Sequence, residues 1–380
     1  MRIEINKERI EYLLAQFQMS IDALLSLLNE GRKKLVGASD VLADSIELSL
    51  LKRIDKIFDK GIIYYQDFSP IAQTAEGSVF FRKAEFNTEL NLEARRVVIR
   101  FESLKHTLDG YNKLSEFRGG AKFKRYTIED SARTVAMQLR LELYPQKIKD
   151  AKKFLVALIA KCAEYGILVF EFIETWNKKE RANIDGFYLQ PNVIVLKRQK
   201  NYKREIFTLA HELGHCVVDA EEIEKLEMME VNSSTKYSDI ERWCNDFAYY
   251  FIMGEDAAII SDIKLIGSDH EYYKDVISDI SRKKHISRLA LYTRLFLENK
   301  LRYAEYSRAR DELAQEYQNR QKEAEVLPEQ KKRGAVARPI ISPLFLQSMQ
   351  YAYFQGVISE TTFCSKLNVQ PSKFEKYIWQ

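Results

Sequence analysis

The segment HELGH, at residues 211–215, combines residue types and a spacing that suit metal chemistry. His211 and His215 are four positions apart, so on a helix their side chains lie on the same face. Two imidazole nitrogens on one face can both bind a zinc ion at about 2.0–2.1 Å. Glu212 lies next to them, where its carboxylate can polarise a water molecule for attack instead of binding the metal. The spacing predicts a catalytic metal centre, and the alternative is a helix whose two histidines are satisfied by ordinary hydrogen bonds.

A catalytic zinc site needs a third protein ligand and an open position. The segment IERWCNDFAYYF, at residues 240–251, predicts a second amphipathic helix in which Glu241 and Asn245 share a face. Glu241 is the candidate third ligand, and Asn245 is a candidate to accept a hydrogen bond from His211 and so fix its tautomer. The alternative for Glu241 is an ordinary solvated acid beside Arg242. The preceding HExxH pattern favours the ligand.

A small β-sheet is predicted directly before the HELGH helix. The segment GILVFEFIE, at residues 166–174, is rich in β-branched and aromatic residues and predicts a strand. The helix that precedes it is expected to end at Gly166. The segment FYLQPNVIVLKR predicts two short strands joined by a turn at Pro191 and Asn192. In the HELGH helix itself, Thr208 and Gly214 are small or short enough to let another element approach.

Four regions are predicted along the chain. Residues 1–66 form short helices in a degenerate helix-turn-helix-like layout, in which Ser20 caps one helix and a later helix covers residues 46–58. The alternative for this region is a small helical packing or dimerisation domain. Residues 67–145 form a helical connecting region, residues 146–300 the catalytic domain and residues 301–380 a helical C-terminal region. Its linker, at about residues 325–339, contains Pro, Gly and charged residues, and the compact tail after it is a candidate docking module.

Charge and composition indicate which class of protein this chain belongs to. The chain has 380 residues, of which 46% are hydrophobic and 30% charged, as in globular proteins. No apolar run approaches the roughly 20 residues of a membrane-spanning helix, and the first residues lack a signal peptide, so we expect a cytoplasmic protein. The four cysteines form no CxxC pair, which favours buried thiols. Residues 1–66 hold ten basic and ten acidic residues, so DNA is a less favoured partner than protein.

The segments IFTLAHELGHCVVD and IERWCNDFAYYFIM resemble the ImmA/IrrE family of metallopeptidases, which typically shows FTLAHELGH followed by E-x-x-[AC]-N-x-x-A. The segments FFRK, at residues 80–83, and IDGF, at residues 184–187, resemble further family landmarks. The chain departs from the family at Asp219, where many members have histidine, and at Gly254, where many have proline.

The resemblance implies a fold, a cofactor and a substrate class. The fold is a mainly helical α+β protein with a zincin-like core and a small β-sheet, flanked by helical N- and C-terminal domains. His211, His215 and Glu241 match the zinc ligands of the family, and Glu212 matches its catalytic base. Family members cleave or inactivate repressors of the helix-turn-helix type, often in mobile elements, phage-related loci or toxin–antitoxin-like pairs.

We therefore expect a zinc-dependent endopeptidase that cleaves a regulatory protein, a helix-turn-helix repressor or antitoxin of a mobile element, phage or defence locus. One alternative is a non-enzymatic regulator with a structural zinc, and another is a proteolytic toxin of a toxin–antitoxin pair. An intact Glu212 favours an enzyme, because a structural site has no use for a base. His270 and His285 are interpreted as surface histidines, and the alternative is that one of them assists the transition state.

Overall fold

The computed structural model describes residues 1–71, 90–119, 123–174, 181–199, 201–220, 238–264, 271–325 and 338–379. These residues are mostly helical and include two small sheets, which confirms the expected mainly helical α+β class. They divide into two compact units. The first unit comprises residues 1–102 and 179–183, and the second comprises residues 103–178 and 184–380. No helix of the described residues is long and apolar enough to cross a bilayer.

In the first unit, five short helices and a two-stranded sheet pack around one apolar core. Strand β1 pairs antiparallel with β2, with Ile3 opposite Ile46. Ser20 caps α2 as predicted, since its hydroxyl accepts a hydrogen bond from the Ala23 amide at 3.1 Å. Its elements are β1 (Arg2–Glu4), α1 (Lys7–Gln16), α2 (Ile21–Asn29), α3 (Ala38–Val41), β2 (Ser45–Glu47), α4 (Leu48–Phe58) and α5 (Ile62–Tyr65).

The helix predicted over residues 46–58 begins later than expected. Ile46 is taken into β2, and α4 starts at Leu48. A β-branched residue such as isoleucine suits a strand, and the partner Ile3 lies over 40 positions away, beyond the range of a local pattern. The α6 helix (Leu92–Ser115) begins in the first unit and ends in the second.

The second unit contains a three-stranded sheet and the remaining helices. The strands β3 (Leu168–Phe172), β4 (Gly186–Leu189) and β5 (Val193–Lys197) have the order β3-β5-β4. The β5 strand is parallel to β3 and antiparallel to β4, so the predicted pair of strands around Pro191 is confirmed. The helices before the sheet are α7 (Ala132–Leu143) and α8 (Ala151–Glu164), and Gly166 follows α8 with φ +76°.

The helices after the sheet build most of the second unit's core. They are α9 (Tyr202–Val218), α10 (Asp239–Met253), α11 (Ala257–Ser261), α12 (Glu271–Lys283), α13 (Arg288–Leu297), α14 (Tyr303–Glu325), α15 (Pro343–Phe354), α16 (Glu360–Leu367) and α17 (Phe374–Ile378). Short 3₁₀ turns cover Gly254–Asp256 and Pro371–Lys373. Most of the predicted linker, residues 326–337, lies outside the described residues, and the four-region division of the chain stays a prediction.

Candidate metal centre

The HELGH segment lies within α9, a helix that is buried on nearly every side. Its N-terminus is capped by Asn201, whose side chain accepts a hydrogen bond from the Lys203 amide at 3.0 Å. From Thr208 to Val217 every residue is buried, and the helix packs against α8, α10, β4 and β5. It ends at Asp219, which adopts a left-handed conformation with φ +54°. Because the helix is enclosed, its two histidines are held in a fixed environment.

Three side chains converge at one point beside α9. The Nε2 atoms of His211 and His215 are 3.1 Å apart. The two carboxylate oxygens of Glu241 each lie 3.3 Å from one of these nitrogens. All three groups can offer ligand atoms within 4.8 Å of one another. The structure thus brings together the three side chains that the spacing predicted as ligands, although their role as ligands stays a prediction.

The donor set and its spacing fit a small divalent cation. Ligand atoms bound tetrahedrally at 2.0–2.1 Å are about 3.3–3.4 Å apart, close to the separations in this cluster. Two imidazole nitrogens that face each other in a buried site repel unless a proton or a cation lies between them. Two nitrogens and one carboxylate, with a further position open, form the ligand set of a catalytic zinc site.

Glu241 is held in its charged form. Burial by itself raises the pKa of this carboxyl, but the charges and hydrogen bonds of His211 and His215 outweigh it and lower the pKa well below its usual range. A carboxylate is therefore present at neutral pH, as a metal ligand requires.

His215 has a second partner that the sequence did not reveal. Its Nδ1 lies 3.0 Å from the backbone carbonyl of Ala220. A carbonyl oxygen can only accept, so Nδ1 carries a proton, and Nε2 is the ring nitrogen that faces Glu241 and His211 and is left to bind a metal. No sequence pattern predicts such a contact, since every residue carries a carbonyl.

The hydrogen bond predicted between Asn245 and His211 is not found among the described residues. The Nδ1 of His211 is buried there without a hydrogen-bond partner. Asn245 lies one helical turn after Glu241 on α10, half-buried. A role for Asn245 in orienting His211 therefore stays a prediction without a contact to support it.

Glu212 lies against strand β4 and outside the group of three candidate ligands. The side chain is fully buried. A Cβ added at Gly186 would lie 3.2 Å from Glu212 Oε1 and 2.6 Å from Thr208 Cγ2, so only glycine fits here without movement. The small residues that the sequence marked on α9 do permit close approach, because a Cβ on Gly214 would lie 3.2 Å from the Cys244 Cα of α10. Gly186 and Gly214 thus allow β4 and α10 to lie against the HELGH segment of α9.

Both ends of α10 are fixed. Ser238 caps the N-terminus and accepts a hydrogen bond from the Glu241 amide at 3.0 Å. At the other end, Arg140 of α7 donates to the carbonyls of Phe251 and Ile252. A Cβ on Gly254 would lie 2.6 Å from Arg140 Nε, and Gly254 has φ +60°. Gly254, where many family members have proline, therefore lies against the arginine that caps the C-terminal end of α10.

The remaining histidines lie elsewhere. The interpretation of His285 as a surface residue is wrong, because its side chain is buried, stacks on Phe154 with centroids 3.9 Å apart and contacts the Ile148 carbonyl at 2.8 Å. Burial lowers the pKa of His285. His106 is exposed on α6, whereas His270 and the FFRK segment lie outside the described residues. The four cysteines are buried free thiols, as expected.

Residues 162–296 match the family model of the IrrE N-terminal-like domain, a peptidase family. The match supports membership of the ImmA/IrrE family for this part of the chain. The match begins in α8, ends in α13 and includes α9, α10 and all three candidate ligands. Neither the curated proteins nor the solved structures contain a match to the chain. Peptidases of the ImmA/IrrE family are generally metal-dependent, in agreement with the His, His and Glu cluster.

Proposed function

We propose that this protein is a zinc-dependent endopeptidase that cleaves a regulatory protein, with a helix-turn-helix repressor or antitoxin as the favoured substrate. The observation that carries the proposal is the convergence of His211, His215 and Glu241 next to Glu212, within the segment that matches the family model. A structural metal site has no use for a buried carboxylate beside its ligands, whereas a hydrolase needs a base there.

The residues of the cluster have distinct tasks in this proposal. His211, His215 and Glu241 hold the zinc, which when bound activates water and polarises the scissile carbonyl. Glu241 contributes the negative charge, and the Ala220 carbonyl keeps His215 in the tautomer that presents Nε2. Glu212 accepts a proton from the attacking water on its carboxylate and delivers the proton to the leaving amine.

The surroundings support a zincin-like arrangement and restricted access. Two helices carry the ligands and pack beside a small sheet, whose edge strand β4 lies against the HELGH turn. The side chains of both histidines are fully buried, and that of Glu241 is 12% exposed. Enclosure of this kind suits a peptidase that acts on one chosen partner, because a freely accessible zinc centre would attack many cytoplasmic proteins.

Metal analysis and a cleavage assay together test the proposal. Wild type should contain about one zinc per chain, and His215→Ala should lose most of it. The exposed His106→Ala is the control for the loss of an imidazole and should keep its zinc. Glu212→Gln should keep zinc and fold but no longer produce fragments of a co-expressed helix-turn-helix partner, because an amide cannot accept the proton of water.

The outcomes separate the alternatives. Full zinc retention in His215→Ala would rule out the site. A Glu212→Gln variant that regulates its partner as well as wild type does would favour the non-enzymatic regulator. Growth arrest that depends on Glu212 and is relieved by a neighbouring gene product would favour the proteolytic toxin.

A further inference from the structure

One ligand of the proposed metal site depends on backbone beyond the end of its helix. His215 and Ala220 are joined twice, because the His215 ring donates to the Ala220 carbonyl at 3.0 Å and the Ala220 amide donates to the His215 carbonyl at 3.0 Å. Ala220 follows the last helical residue, Val218, by two positions. The orientation of the His215 ring therefore depends on the path that the chain takes after α9 ends.

That path turns at Asp219, whose left-handed backbone is uncommon for residues other than glycine. Aspartate tolerates this region better than most residues. Here the side chain is also anchored, since its Oδ1 accepts a hydrogen bond from the Tyr188 hydroxyl at 2.7 Å. The Asp219 carbonyl in turn accepts from the Gln190 side-chain amide at 2.7 Å. Two contacts from the β4 side thus hold the turn in place.

Arg125 adds a third set of contacts at the same helix end. Its guanidinium donates to the carbonyls of Cys216 and Pro191 and lies 3.4 Å from Asp219 Oδ1. The backbone amide of Tyr126 donates to the Val217 carbonyl at 3.0 Å. The last carbonyls of α9 are therefore paired with a segment that lies about ninety positions earlier in the chain.

Tyr188 is a permanent donor in this arrangement. Its side chain is fully buried, and burial, followed by the nearby Cys216 and the hydrogen bond to Asp219, raises the pKa of the phenol above its usual range. The hydroxyl therefore keeps its proton throughout the physiological pH range and can always donate to an acceptor at Asp219 or Pro191.

We propose that Tyr188, Asp219 and Arg125 are positioning residues that hold the Ala220 carbonyl against His215 and so fix the tautomer and orientation of a metal ligand. The inference rests on the proposed function in one respect, namely that His215 binds the metal. The competing explanation is that the three residues only stabilise the end of α9. The two explanations predict different results for variants of these residues that still fold. Only the positioning role predicts that the tautomer of the His215 ring changes in such variants.

The decisive variant is Tyr188→Phe, which removes one buried hydroxyl and keeps the ring. Tyr249→Phe is its matched control, because Tyr249 is also buried and its hydroxyl has no hydrogen-bond partner among the described residues. Nitrogen NMR of the metal-free full chain should show His215 protonated at Nδ1 in wild type and in Tyr249→Phe. In Tyr188→Phe the same nitrogens should report a mixture of tautomers.

Zinc affinity, measured by competition with a chromophoric chelator, is the second readout. Tyr188→Phe should bind zinc about tenfold more weakly than Tyr249→Phe, because weakening the hydrogen bond that orients a metal-binding histidine typically costs at least that much affinity. Asp219→Gly permits the left-handed turn and deletes the carboxylate, so it should weaken binding in the same way. Asp219→Asn keeps an acceptor for Tyr188 and should restore both the tautomer and the affinity.

The results that overturn the proposal are specific. If Tyr188→Phe and Asp219→Gly fold, keep His215 protonated at Nδ1 and bind zinc as wild type does, the three residues only stabilise the helix end. If wild type binds no zinc, the proposed function fails, but the tautomer comparison still decides whether these residues position His215. If Tyr188→Phe does not fold, the pair Asp219→Gly and Asp219→Asn carries the test.

Discussion

Glu241 brings a carboxylate to two buried imidazoles, and its negative charge is the feature that a neutral side chain of the same shape cannot replace. We expect Glu241→Gln to bind zinc at least about a hundredfold more weakly than wild type, because an anionic ligand is lost from an enclosed site. Asp239→Asn on the same helix is the control, since Asp239 is exposed. Chelator competition on both variants provides the measurement, and equal zinc affinity of the two would exclude Glu241 as a ligand.

Glu171 and Glu205 form a buried pair of carboxyl groups near the start of α9. Arg198 Nη1 lies 3.0 Å from Glu171 and 3.4 Å from Glu205, and both carboxyl side chains are fully buried. Burial, followed by the hydrogen bond and charge of Glu171, raises the pKa of Glu205 to about 9, and Arg198 offsets only part of this. The folded protein therefore holds a proton on this pair that the unfolded chain releases above its ordinary pKa of 4.5.

The sign of the resulting pH dependence follows from proton linkage. Between about pH 4.5 and 9 the folded state binds one more proton than the unfolded state, so stability falls as the pH rises through this window. The slope is at most about 1.4 kcal/mol per pH unit. Glu205→Gln mimics the protonated form, so we expect it to lose this slope and to be more stable than wild type at pH 8. Denaturant unfolding across the pH range checks this prediction. The control is Glu164→Gln, because Glu164 is exposed and its loss should leave the wild-type dependence of stability on pH unchanged.

Local spacing made the residues of the candidate metal centre predictable, but not the contacts that orient them. His211 and His215 follow from a helical repeat, and Glu241 from a second helix with the same repeat. The Ala220 carbonyl that orients His215, and the cluster of Tyr188, Asp219 and Arg125 behind it, could not be predicted. Such contacts depend on where distant backbone lies, and no residue type marks that position.

At the scale of elements, the metal centre depends on how closely α9 and α10 approach. The helices approach closely at Gly214, where an added Cβ would lie 3.2 Å from the Cα and 3.3 Å from the Sγ of Cys244. Backbone cannot rotate away as a flexible side chain can. We expect Gly214→Ala to destabilise the protein by about 1–3 kcal/mol and to weaken zinc binding, because it moves Glu241 away from the histidines.

Gly110→Ala is the control for the Gly214→Ala prediction. Gly110 lies inside the α6 helix, and an added Cβ there would meet nothing within 4 Å. The same substitution should therefore leave stability unchanged or raise it by about 0.5–1 kcal/mol, since alanine favours a helix over glycine. Denaturant unfolding measures the stability of both variants. A Gly214→Ala protein with the stability and the zinc affinity of wild type would contradict the close approach of the two helices.

The helices themselves were the most predictable elements, and their distant caps the least. The end of α8 shortly before Gly166 and the start of α15 at Ser342 and Pro343 follow from local residue types. The caps supplied by Arg125 to α9 and by Arg140 to α10 come from more than ninety positions away. In the same way, Ile46 looked like part of a helix because its strand partner Ile3 is remote.

At the scale of the whole molecule, the C-terminal tail belongs to the same compact unit as the metal centre. The backbone amide of Ile340 donates to Glu171 at 2.6 Å, and Phe345 packs against Phe170 of β3 with ring centroids 5.1 Å apart. The Ser348 hydroxyl bonds to the Asn112 side chain at 2.6 Å. These contacts favour a structural role for the tail over the independent docking module that its linker indicated. The linker residues do not encode what the tail packs against.

The structural role of the tail leads to a prediction that two phenylalanines of α15 can test. Phe345 is buried at 5% exposure, whereas Phe354, on the same helix, is 54% exposed. Phe345→Ala should destabilise the protein by about 3–5 kcal/mol, because it removes a buried aromatic side chain and leaves a cavity against β3. Phe354→Ala should change stability by less than about 1 kcal/mol. Ending the chain at Glu329 removes Phe345 with the rest of the tail, so the shortened protein should unfold at a lower temperature and lose zinc. Thermal unfolding and metal analysis of all three proteins give the answer. A shortened protein with wild-type melting temperature and zinc content, which fails only to cleave its partner, would restore the docking module in place of the structural role.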